Sequence, residues 1–514
     1  MSSYHENQEL EVLNSNPHRV VLTGSRHDNP EATPPDTPVR LTVDWDGSKD
    51  PENPLNWSYR RKWLLTGASC FMCFAVGLNA LAITSASDLV DLRFGVDDTG
   101  SNAYNGYWIV TVWNAGATLA PLIGLPMMES FGVRKGYLVS FFFFTVFVIP
   151  QAVAQNYATL LVSRFISGSF GSVVQNGVAN VIGDLWEEEE NSLPCTLFIY
   201  SYLMGFTLAP VIGAAIVSHL SWRWIFYIQL IAYGILLPLS YFLIAETRGN
   251  IILMARAKNL SKSLGYTPKL THHTQETFLR ALYASTVRPL WMFTTEPVLF
   301  FFTLWSGLAI GNVFLGTQSI AQIYAANYSF TFPQSGYVQG AMAVGETIGF
   351  AICVLQNHIY ARSAKRNPET PGRPIPESRL ELSIPMSFLG LTGGLFVYAW
   401  TSFHDDAPWI GPAIGLAMIG AGVMVIVGAV MGYLADFYGI FAGSAIAAVA
   451  AVENLLSATV PLACERMYTR LGFGWASTLL GIVALGLSFA PVVLYIKGKG
   501  LRLKSNFAER MKMH

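Results

Sequence analysis

Hydrophobic stretches recur about twelve times between Trp63 and Tyr495, and short polar segments separate them. A helix of about 20 apolar residues crosses the hydrocarbon layer of a membrane, which is about 30 Å thick. Within that layer only helices or a closed barrel satisfy every backbone polar group. These stretches are too long and too uniformly apolar for the alternating strands of a barrel. The pattern therefore predicts an all-α membrane protein with twelve transmembrane helices.

The segment before the first hydrophobic stretch has a different composition. It is rich in Pro, Asn, Ser, Glu and Asp and contains few large apolar side chains. Such a composition is typical of a disordered tail, and a cleavable signal would need an early apolar segment. The first spanning helix, at about residues 63–84, is therefore expected to act as an uncleaved signal anchor.

Composition and charge agree with this interpretation. Of the 514 residues, 52% are hydrophobic and 13% are charged, against about 25% charged residues in a soluble domain. The net charge of -1 gives no reason to expect a nucleic-acid partner. With both chain ends in the cytosol, 27 of the 32 Lys and Arg residues fall in cytosolic segments. Because the opposite orientation would reverse this bias, the chain is predicted to be multi-pass with both termini cytosolic.

The longest internal polar segment divides the spans into two groups of six. The predicted units are a disordered cytosolic tail (1–62), a first six-helix bundle (63–246), a cytosolic central loop (247–295), a second six-helix bundle (296–497) and a cytosolic C-terminal tail (498–514).

A polar turn follows the second hydrophobic stretch and contains Glu129, Gly132, Arg134 and Lys135. An acid, a turn glycine and a basic pair at a cytosolic junction can bridge neighbouring helices by charge and hold one conformation closed. The turn resembles the loop signature of the major facilitator transporters, in which an acid precedes basic-x-Gly-basic-basic. Ser130 replaces the first basic residue, and Val133 displaces the pair by one position. The alternative is a short turn that carries only topological charge.

Two spans carry further motifs. Helix 4 contains Arg164, and Arg164 to Gly168 resembles the R-x-x-x-G of the same transporters. An arginine in an apolar helix usually faces the bundle interior, and the alternative is a side chain that reaches the membrane surface. Helix 5 contains Gly205, Pro210 and Gly213 in a run that resembles the antiporter signature G-x-x-x-G-P-x-x-G-G. The alternative for this run is a general helix-packing face.

Three other segments make the resemblance specific to fungal drug:proton antiporters. They are Asp50–Ser58, which resembles D-P-x-N-P-x-N-W-S, the loop at 360–380, and the junction at 433–445. The resemblance covers about residues 50–500. It implies the major facilitator fold, in which two bundles rock around a site near the membrane midplane. It leaves the substrate open, because members share the scaffold and differ in what they carry.

Two acids lie near the middle of predicted helices, Glu346 in helix 8 and Glu453 in helix 11. The low dielectric of a membrane interior disfavours the charged form of a carboxyl group, which suits it to bind and release protons. Glu453 stands where the family often has an arginine. The hypothesis is that these acids bind the coupling proton, a basic substrate or both. The alternative is a protonated carboxyl that bonds across helices for structure.

Other polar residues complete the predicted site. Arg164, Asn312 and Gln318 are candidates to bind substrate or protons, although interhelical hydrogen bonding is the alternative for the two amides. Aromatic residues make up 13% of the chain and include Trp108, Trp113, Phe300, Phe301, Phe302 and Trp305. Any that face a central cavity would suit flat or lipophilic compounds, whereas most are expected to face lipid or the membrane interfaces. Asn327 begins an N-x-S triplet in a predicted outer loop and is a glycosylation candidate.

The functional expectation is a secondary active transporter. The sequence contains no ATP-binding G-x-x-x-x-G-K-[ST], no metal-ligand cluster and no nucleophile elbow, so we predict neither an enzyme nor a cofactor or metal site. We expect a monomer in the plasma membrane that exports a small lipophilic drug, toxin or secondary metabolite against protons. The alternatives are a proton-coupled importer of a nutrient such as a polyamine or vitamin, and a substrate sensor built on a transporter scaffold.

Overall fold

The computed structural model describes residues 21–22, 41–96, 107–187, 189–264, 269–270, 278–367, 372, 374–402 and 408–504. Within them the chain is mainly helical. The α-helices are α1 (Tyr59–Leu81), α2 (Ser87–Phe94), α3 (Trp108–Leu119), α4 (Pro121–Phe131), α5 (Val133–Val153), α6 (Tyr157–Leu185), α7 (Ser192–Val217), α8 (Arg223–Leu243), α9 (Gly249–Leu264), α10 (Phe278–Thr295), α11 (Pro297–Tyr328), α12 (Phe332–Val338), α13 (Gly340–Ser363), α14 (Ser383–Met386), α15 (Gly393–Thr401), α16 (Ile410–Tyr438), α17 (Ala442–Thr459), α18 (Cys464–Leu471) and α19 (Phe473–Lys504).

Short elements connect several of these helices. Turns of 3₁₀-helix occur at Pro54–Asn56, Ala82–Ala86, Ala364–Arg366, Pro376–Leu380, Gly439–Phe441 and Val460–Ala463, and a π-helical turn occurs at Ser387–Thr392. The strands are β1 (Val21–Leu22), β2 (Leu41–Val43) and β3 (Lys269–Leu270). Strand β2 pairs antiparallel with β1 and parallel with β3.

The prediction of twelve transmembrane helices is confirmed if one bent pair counts as a single span. Eleven helical segments of the described residues are long and apolar enough to cross a membrane. The twelfth span consists of α3 and α4, which bend by 43° where they meet. Pro121 begins α4, and a proline has no backbone N–H for the helical hydrogen bond, which accounts for the bend. With an even number of spans, α1 begins and α19 ends on the same face, which we call the terminal face.

The spans form two halves, the first from α1 to α8 and the second from α11 to α19. Glycines bring helices of each half into backbone contact, which is how helices associate in lipid. In the first half, a Cβ atom at Gly168 of α6 would lie 2.2 Å from the carbonyl oxygen of Trp113 in α3. In the second half, a Cβ atom at Gly345 of α13 would lie 1.8 Å from the carbonyl oxygen of Ala417 in α16. These glycines therefore fix which faces of α6 and α13 remain available for other contacts.

The two halves meet along α3 and α17, where Thr111 Oγ1 donates to the Ala458 carbonyl over 3.0 Å, and along the antiparallel pair formed by α7 of the first half and α13 of the second. Towards the terminal face, Asn357 Nδ2 donates to Thr196 Oγ1 over 2.9 Å. Nearer the middle, the hydroxyls of Tyr200 and Thr347 lie 3.1 Å apart. At the opposite end, a Cβ atom at Gly336 would lie 2.8 Å from the Cβ atom of Ala214. These contacts, the α7–α13 seam, hold α7 against α13 and, at the opposite end, against α12.

The segment that precedes α1 is attached to α9, in the linker between the halves. Arg256 of α9 donates to Asp50 Oδ2 at 2.9 Å and to Glu52 Oε2 at 2.8 Å. Its guanidinium also lies 3.5 Å from a carboxylate oxygen of Asp46 and faces the ring of Trp45. We call these five residues the clasp. Through it, part of the predicted N-terminal tail is tied to the predicted central loop, whose other helix, α10, packs against α4 and α17.

Candidate functional site

Two carboxylates are buried among the transmembrane helices. The side chains of Glu346 in α13 and Glu453 in α17 are 0% and 2% exposed. Gly345 and Gly349 turn one face of α13 against α16, because a Cβ atom at either position would collide with α16. Successive residues of a helix lie about 100° apart, so Glu346 is directed away from α16 and towards α7.

Glu346 bonds across the seam between the halves. The Thr207 hydroxyl of α7 donates to Glu346 Oε1 over 2.5 Å. The other carboxylate oxygen, Oε2, is buried and has no hydrogen-bond partner in the described part of the chain. A full negative charge in such a setting is costly, because one hydroxyl replaces the several water molecules that would otherwise solvate it. The arrangement leaves Oε2 of this carboxyl group available to bind a proton or to form a further hydrogen bond.

Glu453 bonds within its own half. Its Oε1 accepts a hydrogen bond from the Ser306 hydroxyl of α11. The two acids therefore differ: the Glu346 bond joins the halves, and the Glu453 bond joins two helices of the second half.

Aromatic rings from both halves meet beside these acids. The ring of Phe206 lies 4.7 Å from that of Tyr202, 5.1 Å from that of Phe314 and 6.4 Å from that of Trp113, measured between centroids. Phe314 belongs to α11 of the second half, and the other three belong to α3 and α7 of the first. We call these four residues the aromatic junction. Of the aromatic residues named from the sequence, Trp113 joins it, Trp305 is buried against Ser387 through a 2.9 Å hydrogen bond, and Trp108, Phe300 and Phe301 are exposed.

Arg164 lies inside the first half and does not reach the membrane surface. Its side chain is fully buried, and its guanidinium donates to the carbonyl oxygens of Ile109 (3.1 Å), Asn79 (2.6 Å) and Ala80 (2.5 Å). Asn79 in turn accepts from Trp113 Nε1 and donates to Gln229. Within the described residues no carboxylate pairs with Arg164. The side chain therefore ties α6 to α1 and α3 through backbone carbonyls.

The two predicted amides both lie on α11. Asn312 is 5% exposed and donates to the Leu308 carbonyl of its own helix over 2.8 Å. Gln318 is half-buried, and its Oε1 has no partner in the part of the chain that the structure describes. Neither amide contacts Glu346 or Glu453 by a hydrogen bond. Their assignment to substrate or proton binding stays a prediction.

The turn after α4 is organised by an acid that sequence analysis missed. Glu246 accepts hydrogen bonds from the backbone N–H groups of Val133 (2.9 Å) and Arg134 (3.3 Å), so it caps the N-terminus of α5. Gly132 adopts a φ of +107°, and a Cβ atom there would lie 2.4 Å from Glu246 Oε2. Glu129 is exposed and makes no ion pair within the described residues. The only indication in the sequence that Glu246 has this capping role was its position, an acid where α8 ends.

The remaining turn residues and the helix 5 motif contribute to packing. Arg134 donates to the Tyr241 carbonyl at 3.0 Å, and Lys135 is exposed. In α7, a Cβ atom at Gly205 would lie 2.8 Å from the carbonyl oxygen of Phe74, and one at Gly213 would lie 2.2 Å from that of Ala82. The Pro210 carbonyl accepts a 2.6 Å hydrogen bond from Ser85. Gly205, Pro210 and Gly213 therefore allow α7 to pack closely against α1 and against the turn that follows α1.

The glycosylation candidate lies at the end of α11. Asn327 Nδ2 donates to the backbone carbonyl of Ser402. This bond occupies the amide nitrogen to which a glycan would attach, and the assignment stays a prediction.

Comparison with known proteins places this chain among membrane transporters. The family model described as the Major Facilitator Superfamily matches residues 63–461. The chain is 32% identical to "MFS transporter cpaT" of Aspergillus oryzae, over 96% of this chain and 98% of that protein. It is 31% identical to "Efflux pump atB" of Aspergillus terreus, over 92% and 91%. A solved structure of the proton:xylose symporter XylE has a TM-score of 0.60 at 15% identity, over 85% of this chain and 96% of that one, which shows the fold alone.

Proposed function

This chain belongs to the Major Facilitator Superfamily, and we propose that it exports a small lipophilic compound, such as a drug, toxin or secondary metabolite, in exchange for protons. Membership makes it a multi-pass transporter of small molecules with the two-bundle fold. The proposal adds proton coupling, the outward direction and the class of substrate. It also includes a monomer in the plasma membrane, with the terminal face in the cytosol and bundles at 63–246 and 296–497.

The hydrogen bond between Thr207 and Glu346 carries the proposal. Transporters of this architecture work by rocking one bundle against the other, and this bond joins the bundles. Protonation of Glu346 changes what its carboxyl group donates and accepts, so it changes the free energy of the closed α7–α13 seam. Conversely, separation of α7 from α13 removes the Thr207 donor and changes the solvation of the carboxyl group, so it changes the affinity of Glu346 for a proton. Proton binding and rocking are therefore linked at one residue.

The aromatic junction supports the substrate class. Its four rings lie where the halves meet, and Phe206 and Phe314 touch across the boundary. Aromatic side chains bind flat and apolar molecules over large contact areas. A rocking motion that separated Phe206 from Phe314 would open a surface suited to such a molecule. The outward direction is supported by the relative named an efflux pump.

The direction of transport can be tested without knowledge of the natural substrate. The chain would be produced in cells with low intrinsic efflux, and these would be loaded with a panel of fluorescent aromatic dyes of differing charge. For at least one dye we expect faster loss than from cells that carry Glu346→Gln, and a protonophore should abolish the difference. Uptake of polyamines and vitamins, measured in the same cells, tests the alternative that the protein is a nutrient importer.

A deletion in the native cell tests the same proposal from the other side. Loss of an exporter should raise the intracellular amount of one of the cell's own lipophilic metabolites, whereas loss of an importer should lower the amount of a nutrient. A change in gene expression with no change in any flux would indicate a sensor. Either of the last two results would overturn the proposal.

A further inference from the structure

We propose that a small cavity between the halves, on the side of Glu346 away from the terminal face, is the route by which protons reach this carboxylate. The inference rests on the proposed function and names the path that it requires. The cavity lies where the turn after α1 meets α7, α11 and α12. Its wall contains the polar side chains of Thr84, Ser85, Thr317, Ser335 and Gln339, together with Pro210, Ile320, Ala321 and Gly336.

The cavity wall contains a polar group that the protein leaves unsatisfied. Gln339 is 1% exposed, and its Oε1 accepts no hydrogen bond from the described residues. Its Nε2 contacts only the sulfur of Met342, at 3.9 Å. A buried amide group without a hydrogen-bond partner lowers the free energy of unfolding by about 1–3 kcal/mol. A buried water molecule typically makes about three hydrogen bonds to such groups, and the hydroxyls of Ser85 and Ser335 line the same space. The cavity is therefore suited to hold water.

The cavity and Glu346 lie on the same seam. Gln339 precedes Glu346 by seven residues, which is two helical turns, so both lie on one face of the same span about 10 Å apart along its axis. On the facing helix, the carbonyl of Pro210 borders the cavity and Thr207 lies one turn before it. The unpartnered amide oxygen and the unpartnered carboxylate oxygen are thus successive polar groups along the α7–α13 seam.

Met342 lies between these two groups. It is fully buried and precedes Glu346 by four residues, one turn along the same face. Gly316 of α11 leaves room for it, since a Cβ atom there would lie 3.7 Å from Met342 Cε and 3.6 Å from Gln339 Oε1. A methionine is unbranched and changes its packing readily. Met342 therefore lies between the cavity and Glu346 in the present conformation and can move aside to join them.

The described helices between the cavity and Glu346 contain no other carboxyl group; Asp88 and Asp91 lie in α2, after the turn whose Thr84 and Ser85 line the cavity. Glu346 is the only acid in α7, α11, α12 and α13, and the single acid of α16, Asp436, pairs with Arg379 at the terminal face. The phenols that α7 presents near Glu346 are Tyr200, which bonds to Thr347, and Tyr202, which joins the aromatic junction. A proton that enters through the cavity thus meets Glu346 first.

Hydrogen–deuterium exchange at Glu346 tests the route directly. The full-length protein would be reconstituted in vesicles, and the carboxyl stretching band that is lost in Glu346→Gln would be followed after a change of the external medium to D₂O. We expect Gln339→Leu to slow exchange about tenfold or more, because an apolar side chain removes about 1–3 kcal/mol of hydrogen bonding to the cavity water. Met342→Ala should speed exchange. The matched control is Val344→Leu, a lipid-facing position on the same helix.

A second lining residue gives an independent measurement if Gln339→Leu fails to fold. Ser335→Ala removes a hydroxyl group from the cavity wall and should also slow exchange at Glu346. Exchange at the wild-type rate in both Gln339→Leu and Ser335→Ala would overturn the route. That result leaves proton-coupled export intact, whereas full pH-dependent transport by Glu346→Gln removes the proposed function whatever the path.

Discussion

The two halves of the molecule treat a buried charge in opposite ways. In the first half, Arg164 is fully buried and its guanidinium donates to three carbonyl oxygens of neighbouring helices. In the second half, Glu346 is equally buried but has one hydroxyl donor, which belongs to the other half, and one oxygen with no partner in the described residues. A charge whose hydrogen bonds are satisfied within one bundle stabilises that bundle. A charge that is only partly satisfied, at the boundary between bundles, is available to bind a proton.

The ends of the halves at the terminal face show a similar contrast. In the first half, the Glu246 carboxylate caps α5 through backbone N–H groups. In the second half, Arg379 pairs with Asp436 at 2.6 Å and lies 3.7 Å above the ring of Tyr360. Both arrangements join helices of one half only, so they hold each bundle as a rigid unit. Rigid bundles leave the contacts between the halves, α7 with α13 and α3 with α17, as the places where movement is concentrated.

The largest expected effect is that of removing the charge of Glu346. Glu346→Gln keeps the shape of the side chain and the Thr207 contact but does not exchange a proton, so pH-driven efflux from vesicles should fall to the background of empty vesicles. Glu453→Gln should reduce transport less, because the bond of Glu453 to Ser306 does not cross between the halves. Gel filtration checks that both variants are folded. Equal losses in the two variants would remove the distinction that we draw between the acids.

Removal of Arg164 should act on folding first. Arg164→Met leaves the carbonyls of Asn79, Ala80 and Ile109 without their donor, at about 1–3 kcal/mol for each group left unmet. We expect a large loss of folded yield and a lower temperature of unfolding in detergent. Arg164→Lys should recover only part of this stability. Its ammonium group supplies a donor but cannot reach all three carbonyls as a planar guanidinium does.

Arg223→Lys is the control for Arg164, since that half-buried side chain makes a hydrogen bond to the Ala154 carbonyl near the surface. The outcome that would contradict us is an Arg164→Met protein as stable as the wild type that has lost only transport. Arg164 would then be a functional charge like Glu346, and the contrast between the halves would disappear.

A smaller effect is expected at the turn that caps α5. Gly132→Ala places a Cβ atom against the Glu246 carboxylate and imposes a φ that alanine rarely adopts, at about 1–3 kcal/mol. Thermal unfolding should show a lower stability. Gly183→Ala is the matched control in the same half, because no atom lies within 4 Å of a Cβ atom there. Similar stabilities for the two variants would show that the cap contributes nothing to the rigidity of the first half.

The smallest effect on overall stability is expected at the clasp, which opens locally without disturbing either bundle. Arg256→Gln should increase hydrogen exchange in residues 44–58 and change the unfolding temperature little, whereas Lys258→Gln, an exposed position on the same helix, should do neither. Burial raises the pKa of Asp50, but hydrogen bonds from the Asp46 and Glu52 amides and from Arg256 outweigh it, so the pKa lies below its ordinary value.

The sign of the pH effect on the clasp follows from that lowered pKa. The stabilisation from charged Asp50 is complete above the ordinary pKa of an aspartate and is lost only as the pH falls through the lowered value. The clasp should therefore stay closed at neutral pH and open under strong acid. Unchanged protection of residues 44–58 in Arg256→Gln would show that the tail is held by other contacts.

The sequence by itself determined the number and order of the spans, because a long apolar helix is a local property that a bilayer requires. It also determined the family, through motifs such as Asp50–Ser58, and it singled out Glu346 and Glu453, since acids are rare in spanning helices. Arg164 stood out in the sequence for the same reason, since it is an arginine within an apolar helix. Each of these features is contained in a short window of residues.

Only the tertiary structure decided the partners. Thr207 and Glu346 are 139 residues apart, and neither Phe206 nor Phe314 had a local sign that it would meet the other half. The acid at the turn after α4 proved to be Glu246, which lies 113 residues from Val133 along the chain. Hydropathy and motifs indicate whether a helix lies in the membrane and which of its residues are unusual there. Which side chains meet depends on how helices distant in sequence pack. The same packing leaves one oxygen of Glu346 without a partner while it satisfies Arg164.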